Sequence, residues 1–390
     1  MEKNKRLQSF LNYVYGAAFV TYTFFSILVP LSNFNVQSIE FVNIYKFVKM
    51  FLMVVLFIIF LFRNYKFKIF LLMAFCILIG AYGYYVNSED RMLMLILFAF
   101  ASRYIHPKIL LRYDFVVRII AFSAIIFLYG EGVLRNSYLL RANGVMRSTL
   151  GFSHPNYGGI LLFTIILEWI LIKNKKVNIF EILSMLGISY FFYRFFLART
   201  DWILTILLLL SIIIIQLFDG SKLTVIIKKC DSIFVWLMSI LSLSVLLFVK
   251  QGTILYSLIN KLLSSRLDIF QFYYQLVGIK LLPQKITVYF QDSTFAGMDN
   301  AYIFAAVYDG LILFVVFFVI EQIIAKKIQV APYNVSLVFL FILLVGLTEA
   351  LIIYPFINMM VIYFGQESNS PFMDNKDLES ANSIINPNRN

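Results

Sequence analysis

The sequence is short of cysteine, histidine and charge. Its 390 residues include 2 Cys and 2 His, and Asp, Glu, Lys and Arg together make only 14% of the chain. Cys76 and Cys230 lie far apart, in or beside apolar runs, so neither a disulfide framework nor a metal cluster can be built from them. No Asp-x-Asp, Walker loop, Gly-x-Gly-x-x-Gly or Gly-x-Ser-x-Gly occurs. The usual marks of a bound divalent metal, a phosphate cradle, a dinucleotide and a serine hydrolase are therefore missing, and no cofactor is expected.

What the chain has in abundance is apolar surface, with 61% hydrophobic residues and a mean hydropathy of +0.84. A soluble domain is roughly 45–50% apolar and about 25% charged. The composition thus excludes a soluble enzyme, a nucleic-acid module and a secreted disulfide scaffold. A net charge of +12 would suggest nucleic acid in a soluble domain, but beside a bilayer Lys and Arg first encode orientation.

Apolar runs cover Phe10–Leu31, Asn43–Phe62, Phe67–Val86, Met92–Ile105, Tyr113–Gly130 and Asn156–Ile172. Others cover Ile179–Leu197, Trp202–Phe218, Ile233–Val249, Ala301–Ile320, Val335–Leu347 and Ile352–Phe364. Read as spans of about 20 residues, they predict an all-α polytopic membrane protein with about 12 transmembrane helices over residues 1–365. A polar, cytoplasmic tail is expected over 366–390, and one large external loop over 250–299. Within that loop Leu263, Leu267, Phe270, Tyr274 and Val277 share one helical face, which predicts an amphipathic helix lying on the membrane surface.

With the amino terminus placed inside, nineteen Lys and Arg fall evenly over the inner connections, as the topology rule requires. The thirteen on the opposite side cluster instead. They include Arg135/Arg141/Arg147, Arg194/Arg199, and Lys250/Lys261/Arg266/Lys280/Lys285. Basic residues that oppose the rule need another reason to be there, and an anionic substrate supplies one.

Five segments on that outer side carry polar chemistry. They are Arg147 through His154-Pro-Asn156 to Gly158-Gly159, then Arg199 in Leu197–Trp202, Arg266 in Ser264–Phe270, Asp299-Asn300 with Asp309, and Glu349 in an apolar stretch. Each alone has a plain structural reading as a helix start, a snorkelling arginine, an interfacial anchor or an N-cap. Their meeting on one side, under an orientation derived without them, favours a site. Guanidinium forks suit a pyrophosphate, and a histidine or carboxylate can take a proton from a sugar hydroxyl.

In this order, Arg147...Gly151-Phe-Ser-His-Pro-Asn156, Ala198-Arg-Thr200, Ser265-Arg-Leu267, Asp299-Asn-Ala-Tyr302 and Glu349, the chain resembles the Wzy-type polysaccharide repeat-unit polymerases of the O-antigen polymerase and ligase superfamily. The resemblance covers about residues 140–360. It implies a GT-C-like, metal-independent inverting glycosyltransferase at the outer face of the cytoplasmic membrane. Such an enzyme joins undecaprenyl-pyrophosphate-linked oligosaccharide repeats into capsular or exopolysaccharide. Carried over by position, Arg199 and Arg266 hold the pyrophosphate with Arg147 nearby, while Asn156, Asn300 and Glu349 support them. Ligase relatives carry a His-Asn pair where this chain has Asp299-Asn300, which leaves the base between Asp299 and His154. The implied partners are the lipid bilayer, the lipid-linked oligosaccharide and polysaccharide export and chain-length proteins; nucleic acid is not among them. The rival readings are a ligase transferring glycan to another acceptor, and a transporter or flippase, for which Arg118, Glu168 and Glu181 within or beside spans are the best support.

Overall fold

The computed structural model describes residues 2–140, 144–173, 177–217, 222–263, 265–286 and 297–366. The amino-terminal half supplies α1 (Glu2–Leu28), α2 (Phe34–Gln37), α3 (Ile39–Phe62), α4 (Phe67–Asn87), α5 (Arg91–Ala101) and α6 (Pro107–Gly130). After a hairpin of β1 (Tyr138–Leu140) and β2 (Met146–Ser148) come α7 (Pro155–Ile172), α8 (Ile179–Phe196), α9 (Arg199–Leu217) and α10 (Lys222–Phe248). The remainder holds α11 (Ile254–Leu262), α12 (Arg266–Val277), α13 (Ala301–Val307), α14 (Gly310–Ile328) and α15 (Tyr333–Val345). The tail from 367 onward and residues 287–296 of the long connection between α10 and α13 lie outside the described residues.

The protein is helical, and among the described residues seven helices are long and apolar enough to cross a membrane: α1, α3, α4, α7, α8, α9 and α10. Their outward faces are apolar, as in Phe47, Phe51, Val54 and Ile58 along α3, which suits lipid rather than water. Twelve apolar runs do not, however, become twelve membrane-length helices. The run from Met92 gives α5, only 11 residues long and buried along almost its whole length, short of the roughly 20 residues a bilayer needs. The run from Ala301 breaks at Tyr308–Asp309 into α13 and α14. There Gly310 takes φ +78 with a would-be Cβ 2.6 Å from the Leu282 carbonyl, a place only glycine fits. The last run forms two 3-10 turns, Ala350–Ile353 and Met359–Tyr363. Pro355 lacks an N–H and holds Tyr354 extended, so an α-helix cannot pass through it. Irregular backbone at this depth is tolerated because helices bury it away from lipid.

The hairpin pairs Tyr138 with Ser148 and Leu140 with Met146. Asn136 fastens its base, its Oδ1 accepting from the Thr149 and Leu150 N–H groups at 3.0 and 3.1 Å. The end of α1 is tied to the same loop, since Asn33 N–H donates to Gly151 O and Ser153 N–H to Leu31 O, both at 2.9 Å. At the start of α7, Gly158 and Gly159 make room for close neighbours. A Cβ at Gly158 would lie 2.3 Å from the Phe196 ring, and one at Gly159 would lie 2.6 Å from both Ala198 Cβ and Asp201 Oδ2.

The expected helix in the connection between α10 and α13 exists as α12, but its apolar face is covered by protein. Leu267, Phe270 and Tyr273 are buried in the protein core, and so is Gln271, whose amide donates to Val249 O at 2.5 Å. The exposed apolar face belongs to α11 instead, through Ile254, Leu255, Leu258 and Leu262. Period-3.6 spacing marks a buried face without naming what buries it.

Candidate active site

The loop before α7, the start of α12, the residues before α13 and the turn after α15 meet in one polar cluster. Arg147 on β2 donates from Nε to Phe196 O at 2.8 Å and from Nη2 to Asn156 Oδ1 at 2.5 Å. Asn156 Nδ2 donates to Glu349 Oε1 at 3.2 Å. The same oxygen accepts from Arg266 Nη2 at 3.4 Å, and Arg266 Nε donates to Asp299 Oδ2 at 2.9 Å. One chain of contacts thus runs from Arg147 through Asn156, Glu349 and Arg266 to Asp299. It opens outward as it goes: the side chain of Glu349 is 6% exposed, Arg266 16% and Asp299 32%.

Local structure sets each member. Ser265 takes φ +67, which turns the chain sharply between α11 and α12 and places Arg266 at the first position of α12. Asp268 holds the two helices together, accepting from the Tyr256 hydroxyl and from Asn260 Nδ2. Asn300 serves as a pin rather than a reactive group. Its Oδ1 caps α13 through Ile303 N–H at 2.9 Å, and its Nδ2 donates to Ser242 Oγ and Leu347 O, each at 3.1 Å. It fixes the backbone beside Asp299 against the segment that leads to Glu349.

His154, not Asn156, caps α7, its Nδ1 accepting from Asn156 N–H at 3.1 Å. A neutral imidazole that accepts at Nδ1 carries its proton on Nε2. Burial, reinforced by Arg147 and Arg266, pushes the His154 pKa down to about 4. The ring is therefore neutral near pH 7 and a donor at Nε2. For Asp299 burial wins over the Arg266 and Arg91 charges and raises the pKa above the ordinary carboxylate value. Of the two candidate bases, only Asp299 has an acceptor to offer in this arrangement.

Arg199 stands apart. It is exposed at the first turn of α9 and makes no hydrogen bond or ion pair among the described residues. The same turn brings in a carboxylate to which the sequence assigned no role. Asp201 is buried against Gly159, within electrostatic reach of Arg147 and Arg266. Arg91 is a second omission. Paired with Glu89 at 2.9 Å and stacked over Phe304 at 4.1 Å, it adds positive charge on the Asp299 side. In sequence it reads only as one more basic residue at a helix start. Asp201 could have been suspected, because it follows Arg199 closely where a merely snorkelling arginine needs no carboxylate.

A different charged group lies inside the helices. Arg118 on α6 pairs with Asp114 at 2.7 Å and with Glu168 of α7 at 2.9 Å, all three wholly buried. No protein-family model matches the chain, and neither does any curated protein or solved structure.

Proposed function

We propose that the protein is a GT-C-like membrane glycosyltransferase that polymerises undecaprenyl-pyrophosphate-linked oligosaccharide repeats at the outer face of the cytoplasmic membrane. The observation that carries this reading is the convergence of Arg147, His154, Asn156, Arg266, Asp299 and Glu349, from four separate stretches of sequence, on one half-open cluster. In the proposed reaction Asp299 takes the proton of the acceptor hydroxyl. The freed oxygen attacks the anomeric carbon of the donor from the face opposite its pyrophosphate. A glycosidic C–O bond forms as the C–O bond to phosphate breaks, with inversion. Arg266 and Arg147 stabilise the charge on the departing pyrophosphate, and His154 Nε2–H can donate to it.

Purified protein incubated with lipid-linked repeat unit should give a ladder of products on a gel. Arg266→Ala should reduce it at least tenfold, since one charge-assisted hydrogen bond is worth about 1.5–3 kcal/mol. A single product on a different acceptor would indicate a ligase. The Asp114–Arg118–Glu168 group favours a second reading, transport, because charge inside spanning helices is costly without a purpose. Translocation of lipid-linked oligosaccharide across liposomes without chain growth would select that reading.

A further inference from the structure

The polar cluster has a second half that the proposed reaction leaves unused. Arg91, at the first position of α5, donates through Nε to Glu89 Oε2 at 2.9 Å. Its guanidinium lies over two rings, Phe304 at 4.1 Å and Tyr354 at 5.3 Å. Each ring follows one of the site carboxylates by five residues, Phe304 after Asp299 and Tyr354 after Glu349. Five residues span about 8–10 Å of helical or 3-10 backbone, so the stacked guanidinium is held near both segments. Its charge acts on Asp299 and on the buried Asp309, whereas Arg147 and Arg266 act on His154 and Asp201. Asp299 is thus the meeting point of the two halves, paired with Arg266 and also sensing Arg91.

Tyr157 stands at the same border. It is half-buried in the first turn of α7, its ring 5.6 Å from that of His154 and its N–H donating to His154 O at 3.0 Å. The phenol is within electrostatic reach both of Glu349 and Asp299 and of Arg91 and Glu89. Among the described residues its hydroxyl makes no hydrogen bond, and neither do Arg91 Nη1 and Nη2 or Glu89 Oε1. These free groups lie where the cluster opens, since the Glu89 side chain is 33% exposed and that of Asp299 32%, with Arg91 at 18%. The opening is not a second anion site. Glu89 already neutralises Arg91, and Asp309 adds a carboxylate whose Oδ2 is buried without a partner. Fixed donors and acceptors with no surplus of positive charge suit a neutral polyol.

We propose that Arg91, Glu89 and Tyr157 form the subsite for the terminal sugar of the acceptor, a neutral pyranose. The assignment rests on the polymerase reading. In that reading Arg266 and Arg147 hold the donor's pyrophosphate, and displacement with inversion brings the acceptor oxygen to the opposite face of the anomeric carbon. The acceptor therefore reaches Asp299 from the side away from Arg266, where Arg91 supplies the polar groups. Arg91 Nη and the Tyr157 hydroxyl donate to hydroxyls beside the reacting one, and Glu89 Oε1 accepts from another. Stacking on Phe304 and the bond to Glu89 fix the guanidinium in advance, so it loses little freedom when the sugar arrives. Three polar contacts around one ring also discriminate between epimers, because a misplaced hydroxyl leaves a buried partner unpaired.

The test uses the full chain in detergent with two readouts: the KM for lipid-linked repeat unit in chain growth, and the affinity for undecaprenyl pyrophosphate, which carries no sugar. Tyr157→Phe removes one hydroxyl and should raise KM about threefold to tenfold. Arg91→Lys keeps the charge but loses the fork and should raise KM at least tenfold. Both variants should bind undecaprenyl pyrophosphate within about twofold of the parent, whereas Arg266→Ala should bind it at least tenfold more weakly. Should Arg91→Lys fail to fold, Tyr157→Phe decides. An unchanged KM in Tyr157→Phe would overturn the subsite. So would undecaprenyl pyrophosphate affinity that falls in step with KM, since Arg91 would then belong to a pyrophosphate site. A parent protein that binds undecaprenyl pyrophosphate but forms no polymer would instead end the polymerase reading, and the acceptor subsite with it.

Discussion

Asn156 is the joint between the two arginines of the cluster, and it works because its two ends differ. Its oxygen accepts from Arg147 and its nitrogen donates to Glu349. Asn156→Asp keeps the first contact and turns the second into a meeting of two carboxylate oxygens 3.2 Å apart. At an effective dielectric of ~20 such a pair repels by about 5 kcal/mol. Proton uptake and water at the open edge reduce this to an expected ~2 kcal/mol. The cost of the single variant decides little, because Arg147 gains part of what Glu349 loses. The coupling is the informative quantity. Glu349→Gln in the same chain supplies an amide donor and restores a complementary pair in inverted sense. A double-mutant cycle on unfolding free energies in mixed micelles should therefore show at least ~1 kcal/mol of favourable coupling, and polymer formation should recover in part. Additivity within about 0.5 kcal/mol would refute the contact, and with it the bridge that joins the start of α7 to the turn after α15.

Asp299→Asn should abolish chain growth while lipid-linked substrate still binds. In the parent protein activity should fall as pH drops through the Asp299 pKa, which burial sets above the ordinary carboxylate value, because only the ionised form accepts a proton; a flat acid limb in pH-rate data would contradict this. His154, with its pKa pushed down to about 4, stays neutral in the fold but charges near pH 6.5 when unfolded. Its contribution to stability is full above about 6.5 and is lost as pH falls toward 4, by about 3 kcal/mol in all; His154→Gln should flatten that part of a melting-temperature profile. Gly159→Ala should destabilise by about 1–3 kcal/mol, since its Cβ would lie 2.6 Å from Ala198 Cβ and Asp201 Oδ2; a thermal melt equal to that of the parent would show that α7 and α9 can move apart freely.

Hydropathy and helix signals carried much of the fold because they are local. A run such as Asn43–Phe62 has one outcome in lipid, and it became α3, Ile39–Phe62. Signals failed where the outcome depends on neighbours. The run Ile352–Phe364 is as apolar as a span, yet Pro355 and the helices around it make it a buried, irregular plug. The face of α12 was legible as apolar, but only the fold decides whether lipid or protein covers it. The glycine pair at 158–159 was readable, because two adjacent glycines at a helix start serve close approach, and Phe196 and Ala198 occupy the space they leave.

The segments of Arg147, Asn156, Arg266, Asp299 and Glu349, singled out in sequence, do meet in the fold, but their charge balance was not legible. Arg147, Arg266 and the Glu89-paired Arg91 face Asp299, Glu349 and Asp201, so with Glu89 the cluster sets three cations against four carboxylates. On the proposed reading, a pyrophosphate would have to displace Asp299 and Glu349 from Arg266 or bind together with protons. A scan for basic residues misses this, because acids such as Asp201 and Glu349 come from segments more than a hundred residues apart. The same balance gives the proposed chemistry a direction. If the pyrophosphate takes Arg266 away from Asp299, the carboxylate loses its ion pair and becomes more basic. Binding of the donor would then raise the basicity of the group that must accept the acceptor's proton. On the proposed reading Arg199, exposed and outside the network, would meet the anionic headgroup before Arg266 and Arg147 do.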